Sequence, residues 1–355
     1  MQKNKFLIYK DAINMAINYC LKTDKNLICY GLGINDPKRI FNTTKGLFEK
    51  HSEDRVFDVP NSENSLMGVA VGASLNGTKV LVTHQRLDFF LLAMDQLVNA
   101  ASKWFYMFGG KKSVPITIRL IIGRGWGQGP THSQNLQSIF NHIPGIKIVM
   151  PTFANDAKQL LIESIKDPNP VLFLEHRWLH ETKEIKKKSN AKIGKAKLCM
   201  KGNDLTIVSM SYLTIEAIKA CRFLKKEYNI KVDLIDLRTI KPLDWKMIFK
   251  SVNKTKKLIC LDTGFTTNSV SSDIISKVCE RFSKKLKMNP VNLAMRDIPD
   301  PTTRALSNKL YLRADKLASV VLKKLGKKFS KSKLKKELTI NSFLDIPGDN
   351  FKGPF

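Results

Sequence analysis

Between Arg55 and Gln96 a few residues carry the types and spacing that could do chemistry. Glu63 follows the turn-forming run Val59-Pro60-Asn61-Ser62 and opens a helix rich in Gly, Ala and Val. Small residues at Gly68, Ala70, Gly72 and Ala73 predict that a second backbone packs close to that helix. A carboxylate at such a position has two readings. It is an acid favoured by the N-terminal helix dipole, or a buried acid aimed at a ligand. Residue types alone leave both open. Further on, G-R-G-W-G-Q-G-P at 123–130 runs into Thr131-His132-Ser133-Gln134. The glycine-rich run lacks the Gly-Lys-Ser/Thr ending of a phosphate cradle, so it reads as a flexible active-site loop. His132 could then serve as an acid or base, although histidines are common in surface loops. His142, in F-N-H-I-P-G, reads as structural.

The elements that must position these residues form two α/β blocks. Apolar runs at Leu27–Tyr30, Lys79–Thr83, Ile116–Ile121, Ile146–Met150 and Val171–Glu175 alternate with helical patterns. This alternation predicts a mostly parallel sheet with helices on both faces. A second βαβαβ block starts at Asp204. Its strands are expected at Val232–Leu237 and Lys257–Asp262, and its helices over 214–228 and 243–252. The expected division is 1–185, a linker or edge segment at 186–203, 204–325, and a basic tail with a C-terminal extension at 326–355. Gly326 is the expected helix breaker, and the closing F-L-D-I-P-G-D-N-F-K-G-P-F segment is expected to dock on a surface.

With 355 residues and 43% hydrophobic content, the chain can bury a sizeable core. No apolar run approaches the ~20 residues of a membrane span, and the N-terminus reads as a first helix, so a cytoplasmic protein is expected. The six cysteines show no CxxC pairing, which points to reduced buried thiols rather than a metal site. The net charge of +29 calls for a reason. Lysines are spread over the whole chain without interleaved aromatic residues, which favours an acidic protein partner over specific reading of nucleic acid.

Several ordered blocks match one family. They are T-K-G-L at 44–47, D-R-V-F-D-V-P-N-S-E at 54–63, and D-F-x5-D-Q-L-V-N-A-A-S-K at 88–103. G-P-T-H-S-Q at 129–134, P-G-I-K-I-V-M-P at 144–151, D-P-N-P-V-L-F-L-E at 167–175 and D-L-R-T-I-K-P-L-D at 236–244 follow. Over residues 8 to 325 the chain resembles the β subunit of the thiamine-diphosphate-dependent 2-oxo acid dehydrogenases, of the pyruvate and branched-chain type. The resemblance implies a pyrimidine-binding domain followed by a transketolase C-terminal-like domain. It implies that Glu63 bonds N1′ of the cofactor aminopyrimidine, favouring the tautomer whose 4′-nitrogen takes a proton from the thiazolium ring. Phe89 would face the aminopyrimidine, and His132 would assist acyl transfer to a lipoyl group. Asp167 and Asn169 match a stretch that holds potassium in some members, though an Asp-Pro turn explains them equally well. The Gly-Asp-Gly stretch that holds Mg²⁺ and diphosphate in such enzymes is absent. Those ligands are therefore expected from a separate α subunit in an α2β2 heterotetramer, with a lipoyl acyltransferase core as a further partner.

The chain also departs from the family pattern. Leu32 and Gly33 stand where acids usually link paired active sites. The usual E-x-Q-F-x-D-F reads Thr83-His84-Gln85-Arg86-Leu87-Asp88-Phe89, with Arg86 in place of an aromatic residue. Gln85, Arg86 and Arg124 are the candidate substrate contacts; Arg86 or Arg124 would recognise a second anionic group, or form a salt bridge across the subunit interface. Two other functions compete: a transketolase-like or acyloin-forming carboligase subunit, and a noncatalytic basic binding protein on the same fold.

Overall fold

The computed structural model describes residues 5–123, 127–339, 343–348 and 351. In chain order the strands are β1 (Phe6–Ile8), β2 (Leu27–Gly31), β3 (Val56–Phe57), β4 (Lys79–His84), β5 (Ile116–Ile122), β6 (Lys147–Val149) and β7 (Val171–His176). They continue with β8 (Lys183–Ile185), β9 (Lys197–Met200), β10 (Leu205–Ser209), β11 (Val232–Asp236), β12 (Thr239–Lys241), β13 (Leu258–Phe265) and β14 (Val291–Met295). The large sheet runs β12-β6-β7-β5-β4-β2-β3, and the second sheet runs β14-β13-β10-β11-β9. Both are mostly parallel. The exceptions are β12 and β9, each antiparallel on its sheet.

The interior strands are near-continuous apolar runs because helices cover both faces. Val80 and Val82 face one core with Met67 and Phe90, whereas Leu81 faces the other with Ile13 and Leu161. Helix Glu63–Leu75 packs on the first face; helices Tyr9–Thr23 and Ala154–Lys166 cover the second. Arg119, in the centre of β5, is fully buried and pairs with Glu175 of β7. Burial alone would raise the Glu175 pKa, but Arg119 and His180 hold it below the ordinary carboxylate value.

The expected strands all form, with shifted ends. Ile146–Met150 shortens to Lys147–Val149, and Lys257–Asp262 becomes Leu258–Phe265. The segment read as linker contains β9, which closes an edge of the second sheet. More consequential is D-L-R-T-I-K: β12 leaves the second block and pairs with β6 of the first sheet, Thr239 opposite Val149. The lysine-rich tail is partly docked. Gly326, with φ +65°, follows helix Ala314–Lys324, and helix Lys331–Leu338 then buries Leu334. Of the closing segment, residues 343–348 are held in place, because Arg313 donates to the carbonyls of Leu344, Ile346 and Pro347 at 3.1, 2.8 and 3.3 Å; residues 349–350 and 352–355 lie outside the described residues.

Candidate active site

A cleft of about 340 Å³ lies at the carboxyl ends of β2 and β4, where open α/β sheets bind ligands. Gly31 and Leu32 line one side, Glu63 and Leu66 a second, and Gln85, Arg86 and Phe89 a third. The strand ends meet closely here: a Cβ on Gly31 would lie 2.2 Å from the Thr83 carbonyl oxygen. Only glycine permits that approach.

Glu63 is the first residue of its helix, after a turn in which the Ser62 carbonyl accepts the Leu66 N–H at 2.9 Å. It is half-buried, and among the described residues its carboxylate has no hydrogen-bond or ion-pair partner. Among the described residues no backbone comes close to this helix at Gly68 or Gly72. An added Cβ at Gly68 would meet Gln96 at an ordinary 3.5 Å, and one at Gly72 would meet nothing within 4 Å. Val69, on that side, is 60% exposed.

Phe89 is partly open to solvent, and the His132 ring stands edge-on to it at 5.4 Å between centroids. His132 reaches this position through Asp88, a residue that motif reading passed over. Asp88 Oδ1 accepts both the backbone N–H and the side-chain amide of Gln134, at 3.1 and 3.0 Å. Its other oxygen lies 3.4 Å from Arg86 Nε. The neighbour relation of Asp88 and Phe89 in one block, and of His132 and Gln134 in another, was the available signal.

Arg86 is buried and faces into its own chain. It donates to the Gly123 carbonyl at 2.5 Å and to Gln128, so it ties the end of β4 to the glycine-rich loop. Its guanidinium thus braces that loop while it lines the cleft. Burial lowers its pKa, opposed by Asp88. Gln85 Nε2 reaches the Leu32 carbonyl at 3.4 Å. Arg124 lies outside the described residues. Asp58, also missed, accepts the backbone N–H groups of Gly33 and Asn35 at 2.9 and 3.2 Å and so shapes the loop carrying Leu32. His84 lines the cleft wall, and burial lowers its pKa to about 4.

Asp167 and Asn169 stand far along the chain, at the turn before β7. One Asp167 oxygen takes the Lys147 ammonium at 2.5 Å and the other accepts the Asn169 N–H at 3.0 Å. An Asp-Pro turn forms here, with Lys147 on its carboxylate. Among the described residues no three His, Cys, Asp or Glu side chains gather as a metal-ligand set.

Glu63, without a partner and beside an accessible aromatic ring, fits an aminopyrimidine, whose ring nitrogen needs an acid and whose face needs a flat apolar neighbour. Residues 7–182 match the transketolase pyrimidine-binding domain and residues 194–317 the transketolase C-terminal domain. The chain thus belongs to the transketolase-like, thiamine diphosphate-dependent class. It is 34% identical over 303 residues to the mitochondrial pyruvate dehydrogenase E1 component subunit beta of Pisum sativum, covering 84% of each chain. Within the class it belongs to the 2-oxo acid dehydrogenase β-subunit family. It is 33% identical to the acetoin:2,6-dichlorophenolindophenol oxidoreductase subunit beta of Cupriavidus necator, over 89% of this chain and 97% of that one. Against the pyruvate dehydrogenase E1 component subunit beta of Rhizobium meliloti it is 34% identical over 82% of its length and spans 64% of that relative. A split-gene transketolase, solved as an inactive β4 tetramer, has the same fold, with TM-score 0.73 at 19% identity over 91% of this chain and 99% of that one.

Proposed function

We propose that this chain is the β subunit of an oxidoreductase that decarboxylates a 2-oxo acid and passes the acyl unit to a lipoyl carrier. The carrying observation is the unpartnered Glu63 carboxylate beside Phe89 in the cleft. Bound there, thiamine diphosphate supplies the carbon nucleophile and the electron sink for decarboxylation. Glu63 holds the proton at the aminopyrimidine ring nitrogen, and Phe89 gives the ring an apolar wall. His132, set against Phe89, holds or moves a proton at the acyl acceptor. Arg86 fixes the glycine-rich loop, and Gln85, Arg86 and Arg124 remain candidate contacts to substrate.

The reading includes an α subunit in an α2β2 heterotetramer that supplies the Mg²⁺ and diphosphate ligands, and a lipoyl acyltransferase as the next component. Open apolar side chains support a large partner: Val69, Leu92 and the run Phe105–Phe108 are 46–87% accessible, Tyr106 reaching 87%. We also keep the division at 185 and 203 and a cytoplasmic location as proposals; among the described residues no helix is long and apolar enough to cross a membrane.

The test is co-expression with an α-type chain, followed by dye-linked oxidation of 2-oxo acids with thiamine diphosphate and Mg²⁺. Turnover should need both chains and fall by about 10²-fold or more in Glu63→Gln. An assembly that binds cofactor but oxidises no 2-oxo acid would hand the site to carboligation. Absence of cofactor binding would end the catalytic reading.

A further inference from the structure

A strongly basic stretch of the chain joins its two sheets. From Lys183 to Lys201 there are eight lysines and one acid, Glu184. Glu184 is engaged, since its Oε1 accepts the Asn155 N–H at 2.6 Å. This stretch borders a groove of about 1250 Å³ lined by Asp156, Lys187, Lys188, Lys195, Lys197 and Arg238. Asp156 is the single acid of that lining, and it is already saturated. It accepts from Ser189 Oγ at 2.6 Å and faces Lys197 Nζ at 2.9 Å and Arg238 Nη1 at 3.5 Å. Arg238 also donates to the carbonyls of Lys195 and Ala196, at 3.1 and 2.9 Å, which sets the groove floor. Lys187, Lys188 and Lys195 stay exposed and form no ion pair among the described residues.

We propose that this groove is a docking surface for an acidic peptide segment of a protein partner. Its positive charge has no internal counterion left, so an arriving anion relieves repulsion as well as gaining attraction. Its free charges are spread over several lysines along the groove, which suits a length of chain better than one phosphate. The free cations are all lysines, point charges that meet carboxylates without a fixed fork geometry. No aromatic side chain lines the groove, and the nearby Phe153 ring is covered by Lys197 Nζ at 4.1 Å from its centroid. Nucleic acid bases would therefore find nothing to stack on. This surface is independent of the catalytic reading.

The experiment measures binding of a fluorescent octaglutamate peptide to the full-length chain by anisotropy at low and physiological salt. An oligothymidylate of equal charge is run in parallel. Replacing Lys187, Lys188 and Lys195 by Gln should weaken peptide binding at least tenfold. The charge-matched replacement of exposed Lys323, Lys328 and Lys336 by Gln should change it less than twofold. Both triple variants should keep the wild-type Tm, and Lys→Arg at the three groove positions should restore binding. Equal losses in the two Gln variants would reduce the effect to net charge and overturn the proposal. Tighter binding of the oligothymidylate through the same three lysines, or no peptide binding at low salt, would overturn it too.

Discussion

Asp88 shows how one carboxylate can govern a site that it does not enter. Its two oxygens join the Arg86 side of the cleft to the loop carrying His132. Asp88→Asn keeps an acceptor for Gln134 but loses the charge facing Arg86. We expect kcat of the assembled enzyme to fall about 10- to 100-fold, the scale of an ångström-sized misplacement, with cofactor affinity within threefold. A change confined to cofactor affinity would refute this role. Two histidines give the fold a pH signature. His84 and His180 are both lowered to about 4 by burial, which at His180 outweighs the nearby Glu175. In the unfolded chain their values return to about 6.5. Between those limits the unfolded state binds protons that the folded state refuses, so stability rises with pH across the window and is lost as pH falls. Each contributes roughly 3 kcal/mol to that loss by pH 4. Asp236, pushed up to about 7 by burial, acts in the opposite direction. The His84 share is read by comparing urea midpoints of wild type and His84→Asn at pH 7 and pH 5. The variant should show the shallower decline; parallel declines would exclude His84.

At the scale of elements, the parallel sheet was legible because β4, β5 and β7 are largely apolar runs that follow turn-forming residues. Glu63, Phe89 and His132 were legible through their blocks, and the structure brings all three to one region. The bond of the Arg86 guanidinium to the Gly123 carbonyl was not legible, because the two residues lie in separate blocks of the sequence. β12 was missed for a different reason: three residues carry no period, and their partner lies about 90 positions earlier. Helix Lys331–Leu338 was obscured by its charge, since Leu334 is its single buried side chain. The tight β2–β4 contact yields a prediction. Gly31→Ala places a methyl against the Thr83 carbonyl, and the strands must separate. A loss of about 2–3 kcal/mol in urea unfolding is expected; an unchanged midpoint would mean that the strand ends part freely.

For the whole molecule, the open apolar side chains matter most. Val69 and Tyr106 contribute nothing to the chain's own core, so Val69→Asp and Tyr106→Asp should leave the stability of the isolated chain within about 0.5 kcal/mol. Co-expressed with an α-type chain, each should shift the mass measured by light scattering from heterotetramer toward free subunits. Unaltered assembly in both would place the partner elsewhere. The strand exchange at β12 has a historical consequence. A chain whose second half closes the first half's sheet cannot be reshuffled by recombination at the obvious seam: a donor half without a strand matching Ile148 and Val149 would leave β6 as a bare edge open to other chains. A chain split between the two halves would therefore have to keep Thr239–Lys241 with the first piece, or supply another strand to cover β6.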